Sequence, residues 1–132
     1  VSEAVAFQTD PRIDALLALR TPLLRALRRA GDTHTVGDII AMIQRGAAQF
    51  FGDDRGACIT EVTVYPRRKV MNIWLAIGEL DACLSLIPQM EEFARQQGCT
   101  ALTECGREGW EPFLAKRGWT RYGLVMMRDI QS

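Results

Sequence analysis

The chain has 132 residues, 48% of them apolar, and its 16 basic and 16 acidic side chains cancel to a formal net charge of zero. That length suits one domain with a real core. Neutrality argues against a nucleic-acid or membrane-surface binder, no apolar run approaches the roughly 18 residues of a membrane helix, and no signal peptide is expected.

In chain order, Ala4–Gln8 reads as a weak edge strand. Asp10-Pro11 is a helix start, with a capping side chain before a proline at the first helical position. Ile13, Leu16 and Leu17 follow at helical spacing. Thr21-Pro22 repeats the signal and predicts a break or kink there. Leu23, Leu24 and Leu27 form the apolar stripe of the second piece, and Gly31 is a fitting C-terminal cap. Thr35-Val36-Gly37-Asp38 has the form of a capping box with Asp in place of Glu. It opens a helix with Ile39, Ile40 and Ile43 inward, ending near Gly46. Residues 49–51 predict a short strand, and Gly52–Gly56 (GDDRG) a turn.

Two strands come next. Ala57–Tyr65 alternates, with Cys58, Thr60, Val62 and Val64 on one face and Ile59, Glu61, Thr63 and Tyr65 on the other. Lys69–Ile77 is apolar at nearly every position after Asn72, as suits a central strand covered on both faces. The short Pro66-Arg67-Arg68 link implies an antiparallel pair. A helix follows, capped by Asp81, with Leu80, Cys83, Leu84, Ile87, Met90, Phe93 and Ala94 on one face and a kink at Pro88. Gly98 ends it. Thr100–Cys105 is a strand reached by a right-handed parallel crossover, Glu108–Lys116 a short helix stopped by Gly118, and Trp119–Ile130 a closing strand. The expected architecture is a single α/β domain over residues 1–132, of the α+β mixed-sheet kind, with helices on both faces of a central sheet.

The four cysteines, Cys58, Cys83, Cys99 and Cys105, have neither metal-ligand nor redox spacing. Reduced, buried thiols in a cytoplasmic protein are expected, and no metal site. His34, the one histidine, lies in a polar turn and reads as a solvent-facing loop residue. Arg67-Arg68-Lys69 is a basic hairpin tip, either solvated and protecting an edge or touching phosphate or an acidic partner. Gly106-Arg107-Glu108-Gly109-Trp110 sits at the end of a sheet strand, where open α/β sheets place sites. There Arg107 could hold a carboxylate or phosphate. Alternatively, the glycines serve the turn, Trp110 packs in the core and Arg107 pairs internally.

From Ala57 to Ile130 the order strand, helix, diverging strand, short helix, strand resembles the GCN5-related N-acetyltransferase (GNAT) fold. The series Thr60-Glu61-Val62, Tyr65-Pro66-Arg67-Arg68-Lys69-Val70, Ile73-Trp74-Leu75, Gly98-Cys99, Gly106-Arg107, Gly109-Trp110 and Gly118-Trp119 is similar to that of small phage and prophage proteins with a GNAT-like fold. The resemblance implies acetyl-coenzyme A in the splay between Lys69–Ile77 and Thr100–Cys105, held by Leu75, Ile77, Gly78, Leu80, Cys105, Gly106 and Arg107. Two departures oppose it. Active members carry a glycine-rich Q/R-x-x-G-x-G/A loop whose N–H groups hold the diphosphate. The corresponding stretch, Leu75–Asp81, has one glycine and the carboxylates Glu79 and Asp81. The family's general-acid tyrosine corresponds to Leu114; Cys105, Tyr122 or Glu61 would have to substitute.

Two readings remain open. One is a phage-type protein that keeps the fold without standard catalysis and acts through protein contacts, in the host cytoplasm or on the virion. The other is an acyl-coenzyme A-dependent N-acyltransferase with an atypical cofactor loop.

Overall fold

The computed structural model describes residues 9–105 and 108–131. The expected strand Ala4–Gln8 and the pair Gly106-Arg107 lie outside the described residues. The element order is α1 (Pro11–Ala18), α2 (Arg20–Arg29), α3 (Val36–Gln44), β1 (Gln49–Gly52), β2 (Gly56–Val64), β3 (Lys69–Gly78), α4 (Leu80–Leu84), α5 (Ile87–Gln96), β4 (Ala101–Glu104), a 3-10 turn (Glu108–Trp110) and α6 (Glu111–Ala115). The strands form one mixed sheet, β1-β2-β3-β4, antiparallel except for the β3–β4 pair.

Helix ends follow their local chemistry. The Asp10 carboxylate accepts from the Arg12 N–H at 3.0 Å, with Pro11 in the first turn. Thr35 and Asp38 make a reciprocal capping box: the Asp38 N–H donates to Thr35 Oγ1 at 3.1 Å and the Thr35 N–H to Asp38 Oδ2 at 2.8 Å. Asp38 thus does what the usual glutamate does, and the hydrogen bonds that its carboxylate accepts from the Thr35 backbone N–H and from the Thr35 side chain hold its carboxyl below the usual carboxylate range. Beyond α2 the Asp32 N–H reaches back to the Leu27 carbonyl and Gly31 N–H to Arg28, the two bonds of a Schellman cap.

The core is two layers divided by the sheet. On one face Leu16, Leu23, Leu27, Ile39 and Ile43 of α1–α3 pack on Ala57, Ile59, Leu75 and Ile77. On the other, Cys83, Leu84, Ile87, Met90, Ala94, Trp110 and Leu114 pack on Cys58, Met71 and Ile73. Helices on both faces are therefore as expected. A β-bulge explains the continuous apolar run of β3. Ile59 pairs with Leu75 and Thr60 with Ile73, so Trp74 is an extra residue without a counterpart on β2. The bulge flips the alternation: Met71 and Ile73 face one layer, Leu75 and Ile77 the other.

Five expectations are corrected. The first helical break falls at Leu19, two residues before Thr21, and Pro22 is accommodated in the first turn of α2, where its missing N–H is not needed. Leu17 and Leu24 point outward, the buried stripe being Leu16, Leu23, Ala26 and Leu27. Asp81 does not cap: Gly78 turns the chain, extended Glu79 becomes the N-cap, and no side chain caps α4. Pro88 does not kink one long helix. The chain breaks at Ser85-Leu86, and Pro88 lies in the first turn of a new helix, where proline fits. Finally, Trp119–Ile130 is not a strand. Trp119 packs on the α4–α6 layer, and Arg121 pairs with Glu111 of α6, which holds the segment off the β4 ladder.

No helix among the described residues is long and apolar enough to cross a membrane. The same residues contain no His/Cys/Asp/Glu cluster that could hold a metal ion.

Candidate functional site

The β3–β4 pairing runs from Val70↔Ala101 to Ile73↔Glu104 and stops there, while β3 continues to Gly78. The two parallel strands thus part at the Trp74 bulge, leaving residues 74–78 of β3 without a described strand neighbour on that side. Leu75 and Ile77, expected at a cofactor, have their side chains in the core. What they could offer a ligand in the splay is backbone. The Ile77 carbonyl already accepts from the Cys83 thiol at 3.2 Å. Cys105 is exposed at the far side of the splay, and the structure brings it no closer to a definable partner. Leu80 is half-buried on the first turn of α4.

The turn joining β3 to α4 is where a diphosphate would sit, and it is closed. A single residue, Glu79, separates the strand from the helix. Its N–H donates to the Arg55 carbonyl at 2.9 Å, and its carboxylate accepts from Arg55 Nε at 3.1 Å. A Cβ on Gly78 would lie 2.5 Å from the Arg55 carbonyl oxygen and 2.8 Å from Gly56 Cα. Glycine is required here so that the β1–β2 hairpin can press against the turn, which answers why only one glycine is present. Gly56 in turn lies under Ala82 and the Glu79 carbonyl. The Glu79 hydrogen bond and charge, joined by Asp53 and Asp54 just before Arg55 in sequence, favour the charged form of Arg55. Segments 53–55 and 79–81 together carry four carboxylates against one guanidinium, the wrong sign for a diphosphate.

Leu114 is buried in the α4–α6 layer and offers no proton. Tyr122 is 83% exposed and Glu61 half-buried on β2. The Cys58 thiol is pushed far up by its hydrogen bond with Cys83 and by burial, so it stays neutral. Trp110 packs in the core, as one of its two expected readings had it. Arg68 is not a free tip, since its guanidinium binds Thr100 Oγ1 at 3.1 Å and the Thr100 carbonyl at 3.3 Å, tying the hairpin to the start of β4.

His34 lies in the expected loop, between α2 and α3, but it does not simply face solvent. It is half-buried, its ring lies edge-on to Trp74 with centroids 4.7 Å apart, and Nδ1 shares a 2.7 Å hydrogen bond with Thr33 Oγ1. The only histidine therefore stands against the bulge where the strands part. Its neighbours in sequence carry no signal of this, because the contact spans 40 residues. A second feature that sequence reasoning missed is an open groove of about 860 Å³ along β4, with Thr63, Val70, Asn72 and Thr103 on its sheet side and Trp119 and Tyr122 across from them.

The fold is GNAT-like: a mixed sheet whose two parallel strands splay at a bulge, with helices on both faces. Several of the similar solved structures are named as acetyltransferases. One from Trypanosoma brucei is 18% identical with a TM-score of 0.60, covering 83% of this chain and 94% of that one. A GNAT family acetyltransferase from Staphylococcus aureus is 11% identical with a TM-score of 0.62, covering 93% and 95%. An aminoglycoside acetyltransferase from an uncultured soil metagenomic sample is 12% identical with a TM-score of 0.58, covering 91% and 90%. No protein-family model and no curated protein matches the sequence.

Proposed function

We propose that this chain uses the GNAT-like fold as a scaffold for protein contacts and does not run standard acetyl transfer. The observation that carries this reading is the closed β3–α4 turn. Its N–H and its glycine are both engaged by the β1–β2 hairpin, and its charge is negative. A diphosphate would have to displace the Arg55 contacts and accept four nearby carboxylates. A five-residue helix such as α4 offers little dipole in return. The reading extends to a role in particle assembly or host takeover, in the cytoplasm of a bacterial host or on the virion, and that extension rests on the sequence resemblance alone.

A second reading is acyl-coenzyme A-dependent N-acyl transfer with an atypical loop. The splay and the β3 backbone there, which has no described strand neighbour, favour it, and His34 beside Trp74 would be one candidate base. In that case pantetheine would lie along residues 74–78, and the diphosphate would be held away from Gly78.

Isothermal titration with acetyl-coenzyme A separates the two. The scaffold reading expects no saturable heat at millimolar cofactor. The enzyme reading expects saturation, and at 100 times the dissociation constant a gain of about 2.7 kcal/mol in stability.

A further inference from the structure

Helices α1 and α2 carry a stripe that the core does not use. Leu17, Arg20, Leu24 and Arg28 follow one another at steps of three, four and four residues, which places them on one helical face. Leu17 is 46% and Leu24 41% exposed. With Val36 and Ile40 of α3 they line an open groove of about 490 Å³. Its lining runs from Leu17 to Ile40, so the groove belongs to the helices and takes in nothing of the sheet, the splay or the β3–α4 turn. Arg20 and Arg28 stand on its α2 wall about 12 Å apart, two turns of helix. Neither makes an ion pair among the described residues. Arg28 lies in the last turn of α2, where a cation suits the helix dipole. Arg20 lies in the first turn, where a cation opposes the dipole and no acidic side chain offsets it. In a chain of zero net charge, α2 carries Arg20, Arg25, Arg28 and Arg29 and no carboxylate. Asp32, at the end of the groove beyond α2, is the one acid among its lining residues.

We infer that this groove receives an acidic amphipathic helix of a partner protein, its apolar side chains seated among Leu17, Leu24, Val36 and Ile40 and its carboxylates on Arg20 and Arg28. The inference rests on the protein-contact reading above and names the surface and the chemistry of the partner. A groove between two helices takes the side-chain ridge of a third, and a helix laid in such a groove is read through anchors at i, i+3, i+4 and i+7. The two-turn separation of the arginines calls for carboxylates about seven or eight residues apart on the partner, with the anchors between them. Charge decides the occupant. A second copy offering the same face would set Arg20 and Arg28 against another pair of arginines, which repel. A nucleic-acid backbone would meet leucine, valine and isoleucine where it needs further cations. A membrane surface needs an apolar face that projects into the lipid, whereas these apolar side chains line a concavity. An acidic helix matches the apolar floor and the cations together, and the charges steer its approach and fix its register.

The test is fluorescence anisotropy of a labelled, designed peptide, about 16 residues long so that its helix holds, with leucines one turn apart between glutamates two turns apart. Two companion peptides carry glutamine or lysine in place of the glutamates. They are titrated with the full chain, with the double variant Arg20→Glu and Arg28→Glu, and with Leu24→Ser, which removes an exposed anchor without touching charge. Circular dichroism checks that each variant is folded. The full chain should bind the glutamate peptide saturably and the lysine peptide not at all. Binding should weaken about tenfold with the glutamine peptide and with Leu24→Ser, and the charge-reversed variant should exchange the glutamate peptide for the lysine peptide. No saturation by the glutamate peptide up to millimolar concentration would overturn the inference. So would equal binding of the three peptides, or a charge-reversed variant that keeps the glutamate peptide. Binding to phosphatidylglycerol vesicles that is lost on charge reversal would overturn it in favour of a membrane surface. Acetyl-coenzyme A titrated into the same samples separates this failure from that of the underlying reading. A silent peptide without saturable cofactor heat overturns the groove alone, whereas saturable cofactor heat overturns the protein-contact reading whatever the peptide does.

Discussion

Replacing Gly78 by alanine tests whether this glycine is a packing residue. At φ +90 a Cβ is strained by about 1–3 kcal/mol. Contacts of 2.5 Å to the Arg55 carbonyl and 2.8 Å to Gly56 Cα are with backbone, which cannot rotate away. Overpacking of this kind adds about 1–3 kcal/mol. The combined loss is about 2–6 kcal/mol, a large part of the 5–15 kcal/mol that stabilises an ordinary domain. Gly98 is the internal control. Its φ is +81 and nothing lies within 4 Å of its Cβ position, so Gly98→Ala carries only the backbone strain, about 1 kcal/mol. Urea denaturation reads the difference. With a slope near 2 kcal/mol per molar, Gly78→Ala should lower the midpoint by about 1–3 M and Gly98→Ala by about half a molar. Equal losses for the two would refute the packing role and reopen the turn as a ligand cradle.

Four further outcomes follow from the same structure. Thr35→Ala removes one arm of the capping box and should cost about 1 kcal/mol in thermal unfolding. Because the folded-state pKa of Asp38 is depressed, its contribution is present above the ordinary aspartate value and fades as pH falls through the lower folded value, so an acid titration of Asp38→Asn should lack that component. Thiol titration of the native protein should modify Cys105 first and half-buried Cys99 more slowly, leaving Cys58 and Cys83 until denaturant is added; rapid native reaction of four thiols would contradict the burial. Thr60 is fully buried and its hydroxyl donates to Gln49 Oε1 at 2.8 Å, so Thr60→Val should cost about 1–3 kcal/mol by leaving that acceptor partly desolvated, and Gln49→Leu in the same background should recover part of it.

Most of the scaffold was legible because it is local. Capping residues, the alternation of β2 and the 3.6-residue face from Cys83 to Ala94 all act within one or two turns of chain. The departures came from long-range terms. Nothing near Trp74 announces a bulge; it exists because two layers on opposite faces both need β3, and the bulge lets five consecutive apolar residues serve both. Pro88 could be read as a kink or a new first turn, and the break at Ser85-Leu86 decided it. The final segment has strand composition, but composition cannot say which edge receives it. At the site, one glycine and two acids were visible in sequence as a departure from a diphosphate loop. That the glycine is needed by the hairpin at Arg55-Gly56 was not, because the contact joins residues more than 20 apart. The loop position of His34 was legible, but its contact with Trp74 was not, for the same reason.

The most direct test of the closed turn is a residue-resolved one. Backbone amide resonances of residues 74–82 would be followed while coenzyme A is added to millimolar concentration. The account predicts that Glu79, Leu80, Asp81 and Ala82 do not shift in a saturable way, because the Glu79 N–H stays on the Arg55 carbonyl and the local charge repels the diphosphate. Saturable shifts centred on those amides, with loss of the Glu79–Arg55 hydrogen bond, would contradict it and make the chain a coenzyme A-binding protein.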